Sequence, residues 1–206
     1  MLTWPVKVLA PDSVAVPVVL HLDHGRSIDE VRAALDQGFT SVMYDGSQLP
    51  LQENIQNTAE IAALAHAHGA SCEGEVGFVG YAGGASSAHT APADAARFAA
   101  ETGVDAMAIA VGNVHLTHDH SAQIDERALA AIAIATRGLV PLVIHGGSGV
   151  PPDQRMRLAR TTPICKFNIG TEIRQAFGAS VRETLALHPH SFDRIEILRP
   201  TIAAQR

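Results

Sequence analysis

Three apolar segments of this chain each end in a histidine, and this recurring design limits the possible folds more than any other feature. The run VVLHLDH ends at His24, AIAVGNVH ends at His115, and PLVIH ends at His145. Short apolar runs of this kind are typical of parallel strands that are buried on both faces. The carboxyl ends of parallel strands lie along one edge of a sheet, so we expect the three imidazoles to converge there.

Strand-like and helical segments alternate along the chain without a linker or a change of composition. The predicted strands cover, in order, residues 16–23, 40–45, 70–77, 107–112, 140–144 and 164–167. Strict alternation indicates right-handed crossovers and therefore an α/β domain with a parallel sheet. Since residues at the end of every strand must meet at one point, we predict a TIM (β/α)8-type barrel.

The chain is short for such a barrel. A complete one has eight units and about 250 residues, whereas this sequence has 206 residues and six recognisable units. We therefore expect an incomplete barrel without the first two units, forming a single domain over residues 1–206. An incomplete barrel predicts either an open sheet or a sheet completed by another chain.

Local signals place several helix ends. Ser27 and Glu30 have the spacing of a capping box, and Thr171 is expected to cap a helix after the sixth strand. The inner face of that helix is predicted to use Ile173, Ala176, Phe177 and Val181. Residues 1–14 are expected to be irregular, and the tail after Leu187 shows only a weak pattern.

The three convergent histidines predict a metal centre. His24, His115 and His145 would bind Zn²⁺ and leave one coordination position open, as catalytic zinc sites do. His118 and His120 lie in a polar loop and are expected to be solvated. His21 alternates with Asp23 on its strand, so it is either a neighbour of the site or part of the core.

Carboxylates accompany the histidines. Asp23 adjoins His24 and is a candidate general acid/base, the alternative being that it orients a histidine. Glu73 and Glu75 are two residues apart in a strand, so both point to one face. On the inner face they would form an outer shell of the metal or, together with Asp45, an alternative metal position.

Two glycine-containing turns follow the last two strands. Gly146, Gly147 and Ser148 follow the fifth strand, and Asn168, Gly170 and Thr171 follow the sixth. Amides and hydroxyls at helix N-termini bind phosphate, and barrels often place phosphate after their last two strands. Ser47, in the turn after Asp45, is a weaker candidate for the same role.

Composition excludes several classes of protein. A formal net charge of −6 argues against nucleic-acid binding, and the apolar runs are too short to cross a bilayer. The chain opens without a signal-peptide pattern, so a cytoplasmic location is expected. Cys72 and Cys165 are expected to be buried free thiols.

Taken together, these stretches resemble the class II, zinc-dependent ketose-bisphosphate aldolases, the family of the fructose- and tagatose-bisphosphate aldolases. The matching stretches are LHLDHG, VMYDGSQLPLQENI, CEGEVG, AVGNVH, VIHGGSG and KFNIGTE, in the order of the family. By this resemblance, His24, His115 and His145 are the zinc ligands and Asp23 is the acid/base at the C4 hydroxyl of the substrate. Ser148, Asn168 and their neighbours in the two turns are the contacts to phosphate and dihydroxyacetone phosphate.

The resemblance implies reversible aldol cleavage in carbohydrate metabolism. A ketose bisphosphate would yield dihydroxyacetone phosphate and an aldehyde such as glyceraldehyde 3-phosphate, in an aldehyde-lyase that forms a dimer or tetramer. A monovalent cation near the phosphate is left open. The chain departs from the family in its missing first units, in residues 85–89, where the family is often acidic, and after His115, where the family has glycine and then lysine.

Two alternatives remain open at the level of sequence. The first is a zinc hydrolase of a small phosphorylated substrate, with metal-bound water as the nucleophile. The second is a truncated paralogue without catalytic activity, or a subunit completed by a partner, because missing barrel units leave strand edges exposed.

Overall fold

The computed structural model describes residues 17–80, 87–115 and 122–204, and it contains one six-stranded parallel sheet. The expected irregular start at residues 1–14, and His118 and His120, lie outside the described residues. The strands pair in chain order: β1 (His21–Gly25), β2 (Ser41–Tyr44), β3 (Ser71–Val76), β4 (Ala106–Ile109), β5 (Leu142–Ile144) and β6 (Ile164–Phe167). The sheet curls into an open half-barrel, which confirms the predicted incomplete barrel.

A helix follows each strand. The helices are α1 (Ile28–Asp36), α2 (Leu51–Ala67), α3 (Pro92–Thr102), α4 (Glu126–Thr136), α5 (Pro152–Thr161), α6 (Thr171–Leu187) and α7 (Arg194–Ala204). The 3₁₀ turn Gly147–Gly149 precedes α5. None of the described helices combines the length and apolar character needed to span a membrane.

The capping box of α1 forms with a shift of one residue. The Ser27 hydroxyl accepts the Glu30 N–H at 3.2 Å, as predicted. The Glu30 carboxylate accepts the N–H of Arg26, at 2.7 Å, rather than that of Ser27. The bond to Ser27 satisfies a donor that the first turn of the helix leaves free, so α1 begins where the sequence indicates.

The core lies between the sheet and its helices. In β3, side chains alternate between this core and the inner face of the sheet. Phe98 of α3 is fully buried, and a Cβ added at Gly74 would lie 2.7 Å from its ring. Since side chains alternate along a strand, Gly74 faces the helices while Glu73 and Glu75 face the opposite, inner side. The two acids therefore share one face, as predicted.

Several local predictions are wrong. β1 begins at His21 instead of residue 16; Pro17, near the predicted start, cannot donate to a ladder. Cys165 is exposed rather than buried, while Cys72 is buried, and both are free thiols. The weakly patterned tail contains the helix α7.

The predicted inner face of α6 is also wrong. Ile173 and Phe177 are 45% and 39% exposed, whereas the buried positions of this helix are Ser180 and Thr184. Gly170, rather than Thr171, is the N-cap residue. Apolar periodicity identifies the helix, but the face that is covered depends on the neighbouring elements, chiefly α7.

Side chains connect the first and last strands of the sheet. Among the described residues, β1 and β6 each pair with a strand on one side only. The Asn168 amide, just after β6, donates to Asp23 at 3.1 Å. Lys166 Nζ of β6 lies 3.2 Å from His21 Nε2 of β1. The curl of the sheet therefore brings the ends of its two edge strands within hydrogen-bonding distance.

Candidate active site

His24 is aimed into the site by an irregularity in β1. The register against β2 shifts between Leu22 and Gly25, and His24 has a φ of 55°. A positive φ is uncommon for a residue with a side chain and costs of order 1–3 kcal/mol, a strain often found at functional sites. His24 Nδ1 lies 2.8 Å from Asp45 Oδ2, and this hydrogen bond fixes the orientation of the ring.

His115 and His145 reach the same point from the next strands. Asn113 is fully buried; its amide donates to the His145 carbonyl at 2.9 Å and so ties the end of β4 to the end of β5. The His115 N–H donates to the Gly80 carbonyl at 2.8 Å. The ring centroids lie 5.3 Å apart for His24 and His115, 4.8 Å for His24 and His145, and 5.9 Å for His115 and His145.

These three rings can share one metal ion. One nitrogen from each ring lies within 4.8 Å of the others. A second trio of ligand atoms, from His24, Asp45 and Glu75, meets the same distance limit. The predicted triad is thus assembled in space, with the predicted acids beside it.

Two buried atoms show that the site suits a cation. His145 is 0% exposed and places Nε2 2.9 Å from Glu73 Oε1. Its Nδ1 and Glu75 Oε2 are 3.3 Å apart, and neither has a hydrogen-bond partner among the described residues. Since buried polar atoms are normally satisfied, a metal that binds Nδ1 would explain this pair. Imidazole nitrogens and carboxylates are also the ligands that Zn²⁺ takes, so the residues fit the group.

The pKa values of His115 and His145 are shifted in opposite directions. Burial lowers the pKa of His115 to about 4, and the nearby His145 and His24 add to this effect. Burial alone would also lower the pKa of His145, but the adjacent Glu73 and Glu75 raise it to about 9. The position beside Glu73 and Glu75 therefore favours positive charge, whether from a proton or from a metal ion.

Glu73 and Asp45, which hydrogen-bond to histidines, remain ionised. Burial opposes this, but His145 and Lys166 hold the pKa of Glu73 down at about 2. Burial alone would raise the pKa of Asp45 and lower that of His24. The hydrogen bond between the two side chains has the opposite effect and prevails, so the pKa of Asp45 lies well below its usual range and that of His24 is raised. Both acids are negative at neutral pH, which suits an adjacent cation.

Asp23 and the two glycine-containing turns line one pocket. It has a volume of about 190 Å³ and includes Asp23, His24, His115, Gly146, Ser148, Asn168, Gly170, Thr171 and Arg174. A cleft of about 620 Å³ between α6 and α7 is larger, but the residues that line it contain none of the convergent histidines. The smaller pocket is therefore the better candidate for chemistry.

The family of the chain follows from a comparison with known proteins. The sequence profile of the family described as "Fructose-bisphosphate aldolase class-II" matches residues 2–206. The chain belongs to this class II aldolase family. The resemblance in the six stretches above is thereby confirmed.

The names of the relatives of this class II aldolase chain indicate more than one substrate. The 6-phospho-5-dehydro-2-deoxy-D-gluconate aldolase of Shouchella clausii is 43% identical over 193 residues, covering 92% of this chain and 65% of the relative. The fructose-bisphosphate aldolase of Geobacillus stearothermophilus is 38% identical over 200 residues, covering 95% and 69%. The chain thus spans about two thirds of the length of these relatives.

A solved structure agrees with the fold. The YdjI aldolase of Escherichia coli K12 superposes with a TM-score of 0.75 and 32% identity, covering 94% of this chain and 66% of that one. The six parallel strands of this chain, which alternate with helices, thus form an incomplete barrel of the TIM-barrel type found in the family.

The class II aldolase site also includes residues that were not predicted to take part in it. Lys166, Asn113 and Arg155 all contact it. The signal for Lys166 is that it is a charged residue inside a strand, and for Asn113 that it follows a buried strand directly. Ser47 was expected near the phosphate, but its hydroxyl donates to Asp45 at 2.6 Å and so supports the His24 partner.

Proposed function

We propose that the chain catalyses the reversible, zinc-dependent aldol cleavage of a phosphorylated ketose to dihydroxyacetone phosphate and an aldehyde. The observation that carries the proposal is the meeting of three imidazoles from three strands, with Asp23 at the wall of the adjoining pocket. Fructose 1,6-bisphosphate and tagatose 1,6-bisphosphate, which would also yield glyceraldehyde 3-phosphate, are the first candidate substrates.

His24, His115 and His145 would hold the zinc ion, with Asp45, Glu73 and Glu75 around them. When bound, Zn²⁺ supplies a Lewis acid that polarises the ketose carbonyl. The protein contributes the orientation of the rings through Asp45 and Glu73, since a carboxylate on the second nitrogen fixes the tautomer of a ligand histidine.

Asp23 is the proposed acid/base. In the cleavage direction its carboxylate takes the proton of the C4 hydroxyl, the C4 oxygen becomes the aldehyde carbonyl, and the C3–C4 bond breaks. The electron pair of that bond moves towards the polarised carbonyl, C3 then takes a proton from solvent, and Asp23 releases its own proton to solvent. A positioned acid/base of this kind contributes roughly 10²–10⁴ in rate, and the Asn168 amide keeps the Asp23 side chain in place.

The two turns would bind the phosphate of the triose half. Gly147 and Ser148 stand at the 3₁₀ turn, and Gly170 and Thr171 at the start of α6. Amides at helix N-termini favour negative charge. A monovalent cation at the same phosphate remains part of the proposal.

A second candidate substrate is 6-phospho-5-dehydro-2-deoxy-D-gluconate, and the similarity to the Shouchella clausii enzyme favours it. Retro-aldol cleavage of this compound yields the same triose phosphate, while its aldehyde half bears a carboxylate instead of a phosphate. Arg174 lies at the pocket with its guanidinium beside Gly170, so a cation is available for an anionic group there.

The deciding experiment is a coupled triose-phosphate assay with the three substrates, with and without added Zn²⁺. We expect zinc-dependent release of triose phosphate from one of them. Release of inorganic phosphate without triose phosphate would favour the hydrolase instead, and inactivity with bound zinc would favour the subunit without catalytic activity.

Two variants test the roles of the residues. His145→Ala should lose both zinc and cleavage because it removes a ligand. Asp23→Ala should retain zinc and lose cleavage by at least about 100-fold, the lower end of the range for a general base. Full activity of Asp23→Ala would remove this carboxylate from the mechanism.

We further propose that the chain works as a homo-oligomer, a dimer or tetramer, in the cytoplasm. The free thiols suit a reducing compartment, and the sheet edges left unpaired among the described residues suit association.

A further inference from the structure

Lys166 occupies an unusual position on the inner face of the sheet. Its Nζ lies 2.6 Å from Glu73 Oε2 of β3 and 3.2 Å from His21 Nε2 of β1. An ammonium group can only donate, so His21 accepts at Nε2, and its Nδ1 is then the donor to Ser41 Oγ at 2.8 Å. Lys166 of β6 thus contacts β1 and β3, neither of which pairs with β6 in the sheet.

Glu73 divides its two oxygens between Lys166 and a metal-ligand candidate. Oε2 accepts from Lys166, while Oε1 lies 2.9 Å from His145 Nε2. The Glu73 side chain is only 4% exposed, so water does not compete effectively for either oxygen. Lys166 anchors Oε2 and so opposes a rotation of the carboxylate. Such a rotation would release Oε1 from His145.

This arrangement fixes which nitrogen of His145 remains for a metal. Because Nε2 is engaged by Glu73, Nδ1 is the nitrogen left over; it lies 3.3 Å from Glu75 Oε2 and makes no hydrogen bond to any residue that the structure describes. A carboxylate that holds the second nitrogen of a ligand histidine typically changes metal affinity by about 10- to 100-fold. The Glu73 carboxylate needs a counter-charge to stay ionised in this buried position. Lys166 supplies it.

We propose that Lys166 is a positioning residue, which acts through Glu73 to hold the His145 ring in the orientation that binds the metal. This inference rests on the metal site of the proposed function and adds to it a chain of contacts from β6 through β3 to β5. Lys166 has no role in the chemistry of the substrate on this account.

The test measures Zn²⁺ affinity by chelator competition on the full chain, without substrate. Lys166→Met and Glu73→Gln should each weaken Zn²⁺ binding by about 10-fold or more. In the Glu73→Gln background, Lys166→Met should cause no further loss, since residues that act through one contact are not additive. Lys166→Arg, which keeps the charge, should recover most of the affinity.

A spectroscopic measurement separates positioning from general destabilisation. With Co²⁺ at saturation, Lys166→Met should still show altered d–d absorption bands, because the ligand geometry differs even when the site is full. Cys165→Ser is the matched control, since it changes the neighbouring residue of β6, whose side chain points to the other face. It should leave both the affinity and the Co²⁺ spectrum unchanged.

The outcomes distinguish this inference from the proposed function. Unchanged Zn²⁺ affinity and Co²⁺ spectrum in Lys166→Met would overturn the inference alone, and so would additive losses in the double variant. A wild-type chain that binds no Zn²⁺ would overturn both. Where circular dichroism shows that Lys166→Met does not fold, Lys166→Gln and Lys166→Arg provide the same comparison.

Discussion

At the scale of single residues, Gly146 is tightly constrained by its backbone and by its neighbours. It directly follows His145, has a φ of 65°, and a Cβ there would collide with the carbonyl oxygen of Val114. We expect Gly146→Ala to lower the free energy of unfolding by more than the roughly 1–3 kcal/mol of backbone strain alone, and to weaken Zn²⁺ binding by displacing His145. Urea unfolding and chelator competition measure the two effects.

Gly138→Ala separates strain from collision. Gly138 has a φ of 70°, but a Cβ at this position meets nothing within 4 Å. This variant should lose only the strain component and keep its Zn²⁺ affinity. Equal losses of stability in the two variants would show that Val114 yields to the methyl group.

Asp105 illustrates a pH dependence that arises from one carboxylate. Its Oδ2 accepts the Cys72 N–H at 2.8 Å and lies 2.9 Å from His66 Nε2. Burial alone would raise the pKa of Asp105, but these bonds lower it below its usual value. The ionised group therefore stabilises the fold above the unfolded pKa, and this contribution is lost as the pH falls through the folded value.

We expect Asp105→Asn to destabilise the chain by about 0.5–1 kcal/mol at pH 7, since the amide oxygen keeps the bonds but loses the charge and the site is half exposed. The difference from wild type should shrink below the unfolded pKa, about pH 3.9. Urea unfolding at pH 7 and pH 3 tests this, with Glu60→Gln in the middle of α2 as the control. A difference that stays constant with pH would contradict the assignment.

At the scale of elements, α5 braces the pocket. Arg155 donates to the Gly147 carbonyl at 3.1 Å and forms an ion pair with Glu172 in the first turn of α6, at 2.6 Å. The Glu172 N–H in turn donates to the Ser148 hydroxyl at 3.3 Å. Arg155 thus links the two turns that we propose as the phosphate contacts.

Arg155→Met should accordingly raise the KM for a phosphorylated substrate by about 10-fold, equivalent to roughly 1.4 kcal/mol, and leave Zn²⁺ affinity unchanged. Arg157→Met is the matched control, because Arg157 lies in the same helix and pairs with Glu126 of α4, away from the pocket. Steady-state kinetics on both variants provide the measurement. An equal KM in the two would exclude the bracing role.

Much of the architecture could be predicted from sequence because its signals are local. Alternating apolar runs and helix ends identify the strands, and parallel pairing then places His24, His115 and His145 at one edge. The exposed face of α6 and the contacts of Lys166 could not be predicted, because both depend on which distant elements become neighbours. The contact between the Ser47 hydroxyl and Asp45 could not be predicted either, because a hydroxyl can turn towards a neighbouring carboxylate or towards the pocket.

At the scale of the whole molecule, the open half-barrel predicts association. β1 and β6 present unpaired edges among the described residues, and exposed strand edges readily pair with other chains. We expect light scattering to show a defined dimer or tetramer that contains zinc. A zinc-free, polydisperse aggregate would instead support the remnant without catalytic activity.

The bridge between Asn168 and Asp23 also has a consequence for synthesis. The two residues are 145 positions apart, and a nascent chain leaves the ribosome from its N-terminus. All three imidazoles emerge before the amide that steadies the carboxylate. A chain released early, before β6, would therefore carry all three imidazoles but lack both Lys166, which we propose positions His145 through Glu73, and the amide that tethers Asp23, so the proposed metal site and the proposed acid/base would both be completed only after β6 has emerged.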